Sequence, residues 1–362
     1  MIKLKNITVV GGGNIGMQFA AHAAAKGYPV TLYTSKCKDY HKNITVYSEN
    51  DEVVVCGELK AITNDLSIAF DEADVVFVTY PAFMFNELSS LLCNHLKSGS
   101  MIFVIPGTGG AEFAFTKCVQ KGCILAGLQR VPSVARIREK GKSVNCIGYR
   151  NQLHVSTIPS ARVEIARELI SDIFDKDTVE IRDYLNITLT PSNPILHTSR
   201  LYCLFSDYEE GKTYDSVPLF YEGWDLKSAE LLFACDDEVQ SIRRALKDFD
   251  LPYVKSLKEH YESDTPAKLV DKIHSIDGFK GLKSPVIEVE GKFIPNLKSR
   301  YFTADFPYGL SILIQIADLM DIDVPNMKRI YKWYESLNTA SGKFDFSAYK
   351  INSYQDFKMI YC

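Results

Sequence analysis

The chain has 362 residues, enough for two domains, and its 46% hydrophobic content can supply a core for each. A charged fraction of 24%, a formal net charge of −4 and dispersed lysines exclude a nucleic-acid partner. No apolar run approaches the roughly 18 residues of a membrane span, the N-terminus lacks the pattern of a targeting segment, and nine cysteines without a CxxC or Cys/His cluster read as free thiols in a reducing cytoplasm, with no metal site.

The first predicted strand, Ile7-Thr8-Val9-Val10, runs into Gly11-Gly12-Gly13-Asn14-Ile15-Gly16 and then into a helical stretch from Met17 to Lys26, with a stop signal at Gly27. G-x-G-x-x-G carries weight only in such a strand-to-helix context. Gly11 allows the tight turn, Gly13 lets the backbone approach a pyrophosphate, Gly16 lets the helix pack on the strand, and the helix N-terminus offers free N–H groups to the anion. Gly11, Gly13, Asn14, Ile15 and Gly16 are therefore expected at a dinucleotide. The next strand ends in Thr34-Ser35-Lys36. An NAD enzyme usually has an acid about 20 residues beyond the glycines, whereas a 2′-phosphate suits hydroxyls and a cation. Thr34, Ser35 and Lys36 thus favour NADP(H) over NAD(H), and Asp39 lies a few residues too late unless a loop returns it.

A strand pair is expected around Thr45-Val46-Tyr47 and Val53-Val54-Val55, a helical turn near Asp71-Glu72-Ala73, and an apolar strand at Val75 to Thr79. A helix from Phe83 to Lys97 and a strand from Met101 to Ile105 follow. Continuous apolar strands alternating with helices mean a parallel sheet covered on both faces. Ligands collect at the carboxyl ends of such strands, which places Tyr80, Pro81, Pro106 and Gly107 at the cofactor crevice. Further strands are expected near Cys123 to Ala126, Val144 to Ile147 and Leu153 to Ser156, then a helix from Arg162 to Phe174 and a last strand at Thr178 to Ile181. Beyond about Asp183 amphipathic segments dominate: Trp224 to Phe249, Pro266 to Ile273, Leu310 to Met320 and Met327 to Leu337. The fold class is an α/β, doubly wound Rossmann-type sheet over residues 1–183, followed by a mostly α-helical domain over 184–362.

Two segments of the helical half differ from core filler: Thr190-Pro191-Ser192-Asn193-Pro194-Ile195-Leu196-His197-Thr198-Ser199-Arg200, and Arg300-Tyr301-Phe302-Thr303-Ala304-Asp305-Phe306-Pro307-Tyr308-Gly309-Leu310. With the glycine turn and the stretch Phe220-Tyr221-Glu222-Gly223, they resemble the opine dehydrogenase family, which includes octopine and nopaline dehydrogenases. The resemblance covers nearly the whole chain. It implies reduction by NAD(P)H of the imine formed between an amino acid and a pyruvate-like 2-keto acid, with His197 as the catalytic histidine, Asp305 as its partner and Arg300 on the substrate carboxylate. Family members often carry an acid directly before the motif aspartate, where this chain has Ala304. A homodimer is allowed, though nothing in the sequence requires it.

The residues themselves agree with that assignment. A histidine passes protons near neutral pH, and a carboxylate on its other nitrogen fixes the tautomer. An arginine fork matches a carboxylate bidentately. Asn193 offers an amide to a carboxylate or to the cofactor's carboxamide. The plainer roles are a helix cap for His197, a cap or surface carboxylate for Asp305, a surface ion pair for Arg300 and a turn before proline for Asn193. Reduction of a lone 2-keto acid, as in ketopantoate reductases, and a non-enzymatic dinucleotide-binding sensor are the competing readings.

Overall fold

The computed structural model describes residues 6–337 and 342–361, so Cys362 lies outside the described residues. The chain forms two units. One comprises the residues up to Thr188 together with those from Lys358 onward, and the other is Leu189–Phe357.

The first unit is built on twelve strands: β1 (Ile7–Val10), β2 (Val30–Tyr33), β3 (Asn43–Tyr47), β4 (Val53–Glu58), β5 (Ala61–Thr63), β6 (Val75–Val78), β7 (Met101–Val104), β8 (Ile124–Leu128), β9 (Val134–Glu139), β10 (Ser143–Ile147), β11 (Gln152–Ile158) and β12 (Asp177–Glu180). Eight of them form one sheet in the order β12-β11-β8-β7-β6-β1-β2-β5. Every pair in it is parallel except β8 with β11. The register aligns Val9 with Phe77 and Phe77 with Phe103 on one face, and Val10 with Val78 and Val78 with Val104 on the other. The two rows enter separate apolar clusters, which is why these strands read as unbroken apolar runs. Fully burying each such side chain contributes on the order of 2 kcal/mol.

A second sheet, β4-β3-β10-β9, lies beside helix α1 (Asn14–Ala25). Alanines keep that helix thin, and Gly57 of β4 rests directly on it: a Cβ there would stand 2.3 Å from the Ala21 carbonyl oxygen. Three expectations change here. Val144 to Ile147 belongs to this second sheet, Val134–Glu139 is an additional strand, and the short helix before β6 is Leu66–Phe70, not residues 71–73. Asp65 starts that helix by accepting a hydrogen bond from the Ile68 N–H at 3.0 Å. Two long helices complete the unit, α2 (Phe85–His95) and α3 (Val163–Phe174).

The second unit is mainly helical: α4 (Asn193–Phe205), α5 (Leu226–Ala245), α6 (Pro266–Ser275), α7 (Ser311–Leu319) and α8 (Pro325–Ser336). Asp225 caps α5 through the Ser228 N–H at 2.8 Å. The start of α8 is satisfied from another element: buried Glu238 of α5 accepts from the backbone N–H groups of Asn326 at 2.7 Å and Met327 at 2.9 Å. An anion at a helix N-terminus also suits the macrodipole. A hairpin of β13 (Val286–Val289) and β14 (Lys292–Pro295) was not anticipated. Nor was the π-helix Tyr301–Leu310, which contains Pro307 and leads directly into α7.

Candidate functional site

In the first unit the glycine turn shows why each glycine is there. Gly11 has φ +100° and donates its N–H to the Tyr33 carbonyl at 3.1 Å. A Cβ on Gly16 would stand 1.8 Å from the Gly11 carbonyl oxygen, so the helix start and the turn require that glycine. Gly13 is different: it is exposed, has φ −78°, and a Cβ on it would meet nothing within 4 Å. Nothing in the protein needs a bare backbone there. Helix α1 has neither a side-chain cap nor an acid in its first turn, so its N–H groups are open to an anion. These features fit a dinucleotide's pyrophosphate.

The other expected cofactor residues divide into committed and open groups. The Asn14 side chain accepts from the Ile137 N–H of β9 at 2.8 Å, and Ile15 packs on the core. Thr34 is buried and its Oγ1 accepts from the Lys36 N–H at 3.3 Å, while the side chains of Ser35 and Lys36 are exposed. Asp39 pairs with Lys140 at 2.6 Å, which holds its carboxyl below the usual range. The half-buried Tyr80 ring lies against Gly11, and Pro81 follows it. Pro106 is exposed, whereas Gly107 is buried and required by packing, since a Cβ there would meet the Tyr184 hydroxyl at 2.7 Å and the Gly127 Cα at 2.8 Å. Sequence reasoning missed Tyr40, whose hydroxyl donates to the Gly12 carbonyl at 2.8 Å and covers one side of the turn.

In the second unit the two motif segments meet. His197, 8% exposed on α4, places Nδ1 2.8 Å from Asp305 Oδ2. Its Nε2 lies 2.9 Å from the Tyr221 hydroxyl. In the tautomer whose Nδ1–H donates to the carboxylate, Nε2 accepts a hydrogen bond from the Tyr221 hydroxyl. The Tyr301 ring lies 4.6 Å from the imidazole centroid and that of Phe220 5.5 Å away.

The local sequence explains this placement. Pro194 packs on Gly309, where a Cβ would come within 2.9 Å of its Cγ, so the small residue lets the π-helix approach the start of α4. Buried Phe302 and Phe306 anchor the π-helix, the latter stacked on Tyr334 at 4.4 Å. Pro307 has no N–H to give to the helix, and its carbonyl accepts from the Phe344 N–H at 3.1 Å. π-Helical turns recur at functional sites.

Tyr221 is held from behind by Arg200, which lies one helical turn after His197 and is 1% exposed. Its guanidinium donates to the carbonyls of Phe220 (3.2 Å) and Gly223 and to Ser228 Oγ at 2.9 Å. Burial lowers the Arg200 pKa, and Asp225 at 3.6 Å opposes that shift. Arginine is rarely fully buried without such partners, so sequence reading gave no reason to expect it here. Glu222 accepts from the Gly281 N–H at 2.6 Å, a structural role.

Arg300 and Asn193 stand apart from this network. Both are exposed at the starts of their helices, and neither side chain has a hydrogen bond or ion pair among the described residues. The surface ion pair considered for Arg300 is therefore not formed. Among the described residues no cluster suited to a metal is present, and no helix is long and apolar enough to cross a membrane.

Known proteins resemble this chain in sequence and fold. Residues 180–338 match the family model described as NAD/NADP octopine/nopaline dehydrogenase, alpha-helical domain, and residues 6–122 match that of the NAD-dependent glycerol-3-phosphate dehydrogenase N-terminus. Tauropine dehydrogenase of Arabella iricolor is 26% identical over 91% of this chain and 91% of its own. Octopine dehydrogenase of Mizuhopecten yessoensis is 26% identical over 90% and 88%. The solved structure of an octopine dehydrogenase with NADH and pyruvate superposes with a TM-score of 0.82, at 24% identity and 98% coverage of both chains.

Proposed function

The chain belongs to the opine dehydrogenase family, and from that premise we propose that it joins an amino acid to a pyruvate-like 2-keto acid by NAD(P)H-dependent reduction of their imine. The observation that carries the reading is the 2.8 Å bond between His197 Nδ1 and Asp305 Oδ2, which joins residues from two separate motifs. Condensation of an amine with a ketone expels water, so the carbonyl oxygen must gain protons and the attacking nitrogen must lose them. A histidine with its tautomer fixed by a carboxylate can serve both transfers. Asp305 keeps Nδ1 protonated and stabilises the imidazolium, so Nε2 is the nitrogen that exchanges protons. Exposed Arg300 is assigned to the keto-acid carboxylate and Asn193 to a second polar contact.

The first unit is assigned to the dinucleotide, which when bound supplies the two electrons of the reduction. Its phosphates would be held at Gly11, Gly13 and the N–H groups that begin α1, with Tyr80, Pro81, Pro106 and Gly107 at the neighbouring strand ends. NADP(H) is preferred over NAD(H) in this reading. Exposed Ser35 and Lys36 suit a 2′-phosphate, and the nearby acid, Asp39, is engaged by Lys140. The free thiols support a cytoplasmic location.

The test is a panel of amino acids crossed with pyruvate and other 2-keto acids, following NADPH absorbance. Oxidation that requires both partners is expected. Oxidation with a keto acid alone would replace the proposal with carbonyl reduction, and failure to bind either dinucleotide would remove both enzymatic readings.

A further inference from the structure

The outlet of the His197 imidazole is occupied. Its Nε2, the nitrogen not held by Asp305, lies 2.9 Å from the Tyr221 hydroxyl. Tyr221 is not placed to swing aside. Its ring stacks on Phe279 at 3.9 Å with an interplanar angle of 11°, and on Trp224 at 6.2 Å and 9°. Phe220 meets it edge-on at 4.9 Å, and the residue is 5% exposed. The backbone to either side is fixed by Arg200 through the Phe220 and Gly223 carbonyls. A Cβ on Gly223 would come within 2.5 Å of Pro218 Cβ, so this turn has little room to change.

We propose that Tyr221 is a catalytic residue: its hydroxyl, and not the imidazole itself, delivers the proton to the substrate. The proposal rests on the His197–Asp305 reading above. In the imidazolium both ring nitrogens donate, Nδ1–H to Asp305 and Nε2–H to the Tyr221 oxygen. As the hydroxyl leaves the carbinolamine formed from amine and ketone, the nitrogen lone pair forms the C=N bond and the C–O bond breaks with its electron pair on oxygen. The Tyr221 O–H bond breaks and a new O–H bond forms on that oxygen, which leaves as water. The Nε2–H bond breaks at the same time and restores the tyrosine hydroxyl. The proton lost is that of the imidazolium, the positive charge passes to the iminium nitrogen, and neutral His197 remains with its Nδ1–H donating to Asp305. Tyrosine never carries net charge, so its high intrinsic pKa is no obstacle.

The test compares Tyr221→Phe, which keeps the stacked ring, with His197→Gln, in the full-length protein. For Tyr221→Phe an unchanged melting temperature and a fall in kcat on the order of 10²-fold are expected, within the range of a general acid. In mixed H₂O/D₂O the wild-type rate should depend on deuterium fraction along a curve, because two protons move together. The residual rate of Tyr221→Phe should follow a straight line. A Tyr221→Phe rate within twofold of wild type, or an unchanged curve, overturns the relay. If His197→Gln is inactive in that case, the imine-reductase reading stands; if His197→Gln also retains the wild-type rate, both fall. A second readout needs no turnover. The ¹⁵Nε2 resonance of His197, located by its loss in His197→Gln, should move in Tyr221→Phe, and a resonance that stays in place overturns the relay.

Discussion

Replacing Gly13 by alanine separates the two reasons a glycine can occupy a turn. Its backbone, at φ −78° and ψ −169°, is one that alanine adopts freely, and the added Cβ would meet no protein atom within 4 Å. Alanine should stabilise through the unfolded chain by about 0.4–1 kcal/mol, and as a poorer N-cap than glycine it should cost a similar amount. The net change in stability is therefore expected to be under about 1 kcal/mol. A bound pyrophosphate would meet the new methyl group directly. Overpacking of that kind costs about 1–3 kcal/mol, or roughly 5- to 150-fold in NADPH affinity. Gly16→Ala is the contrast, because its Cβ would stand 1.8 Å from the Gly11 carbonyl oxygen and must disturb the fold itself. Thermal melting and fluorescence titration with NADPH read the two effects separately. A Gly13→Ala protein that binds NADPH as tightly as wild type would falsify the cradle argument.

Arg300→Lys keeps the charge but loses the fork, so the apparent KM for the keto acid should rise more than kcat falls; the opposite split would place Arg300 elsewhere in the reaction. Lys36→Asp should weaken NADPH binding and spare NADH, and a wild type that binds NADH more tightly would contradict the 2′-phosphate assignment. Glu112, 1% exposed, has its pKa raised by burial from 4.5 to about 7. The folded chain keeps a proton there that the unfolded chain loses, so this carboxyl's contribution to stability is present below pH 4.5 and lost as pH rises through about 7. Glu112→Gln should accordingly gain on the order of 3 kcal/mol at pH 8 and little at pH 5, and equal shifts in Tm at both values would refute the assignment.

The elements legible in the sequence were those whose residues report their own environment. The runs at Ile7–Val10, Val75–Val78 and Met101–Val104 are buried on both faces and contain nothing polar except Thr8. Strand β9 has four exposed residues, Arg136 to Glu139, and only Ala135 buried, so no apolar pattern marked it. The hairpin at 286–295 is mostly exposed for the same reason. Pro307 broke the helical period across Tyr301–Leu310, which is helical all the same because its turns are wider. At the candidate site, His197, Asp305, Arg300 and Asn193 were reached through motifs. The contact between His197 and Tyr221 depends on an irregular connection between α4 and α5, and the fully buried Arg200 that shapes it resembles any surface arginine in the sequence.

The first unit is discontinuous: it takes in the residues from Lys358 onward, after the whole of Leu189–Phe357. Tyr361 donates to Glu112 Oε1 at 3.0 Å, and Met359 and Ile360 line a cavity of about 570 Å³ with Glu112, Thr116 and Arg162. During synthesis the eight strands of the large sheet leave the ribosome early, yet their unit gains these last contacts only after the helical unit has been made in full. A gene fragment ending at Thr188 would encode every strand of the dinucleotide fold and still omit part of its packing. Such a fragment should express as a less stable body than the same residues in the intact chain, and the two units are not modules to be exchanged by a single cut.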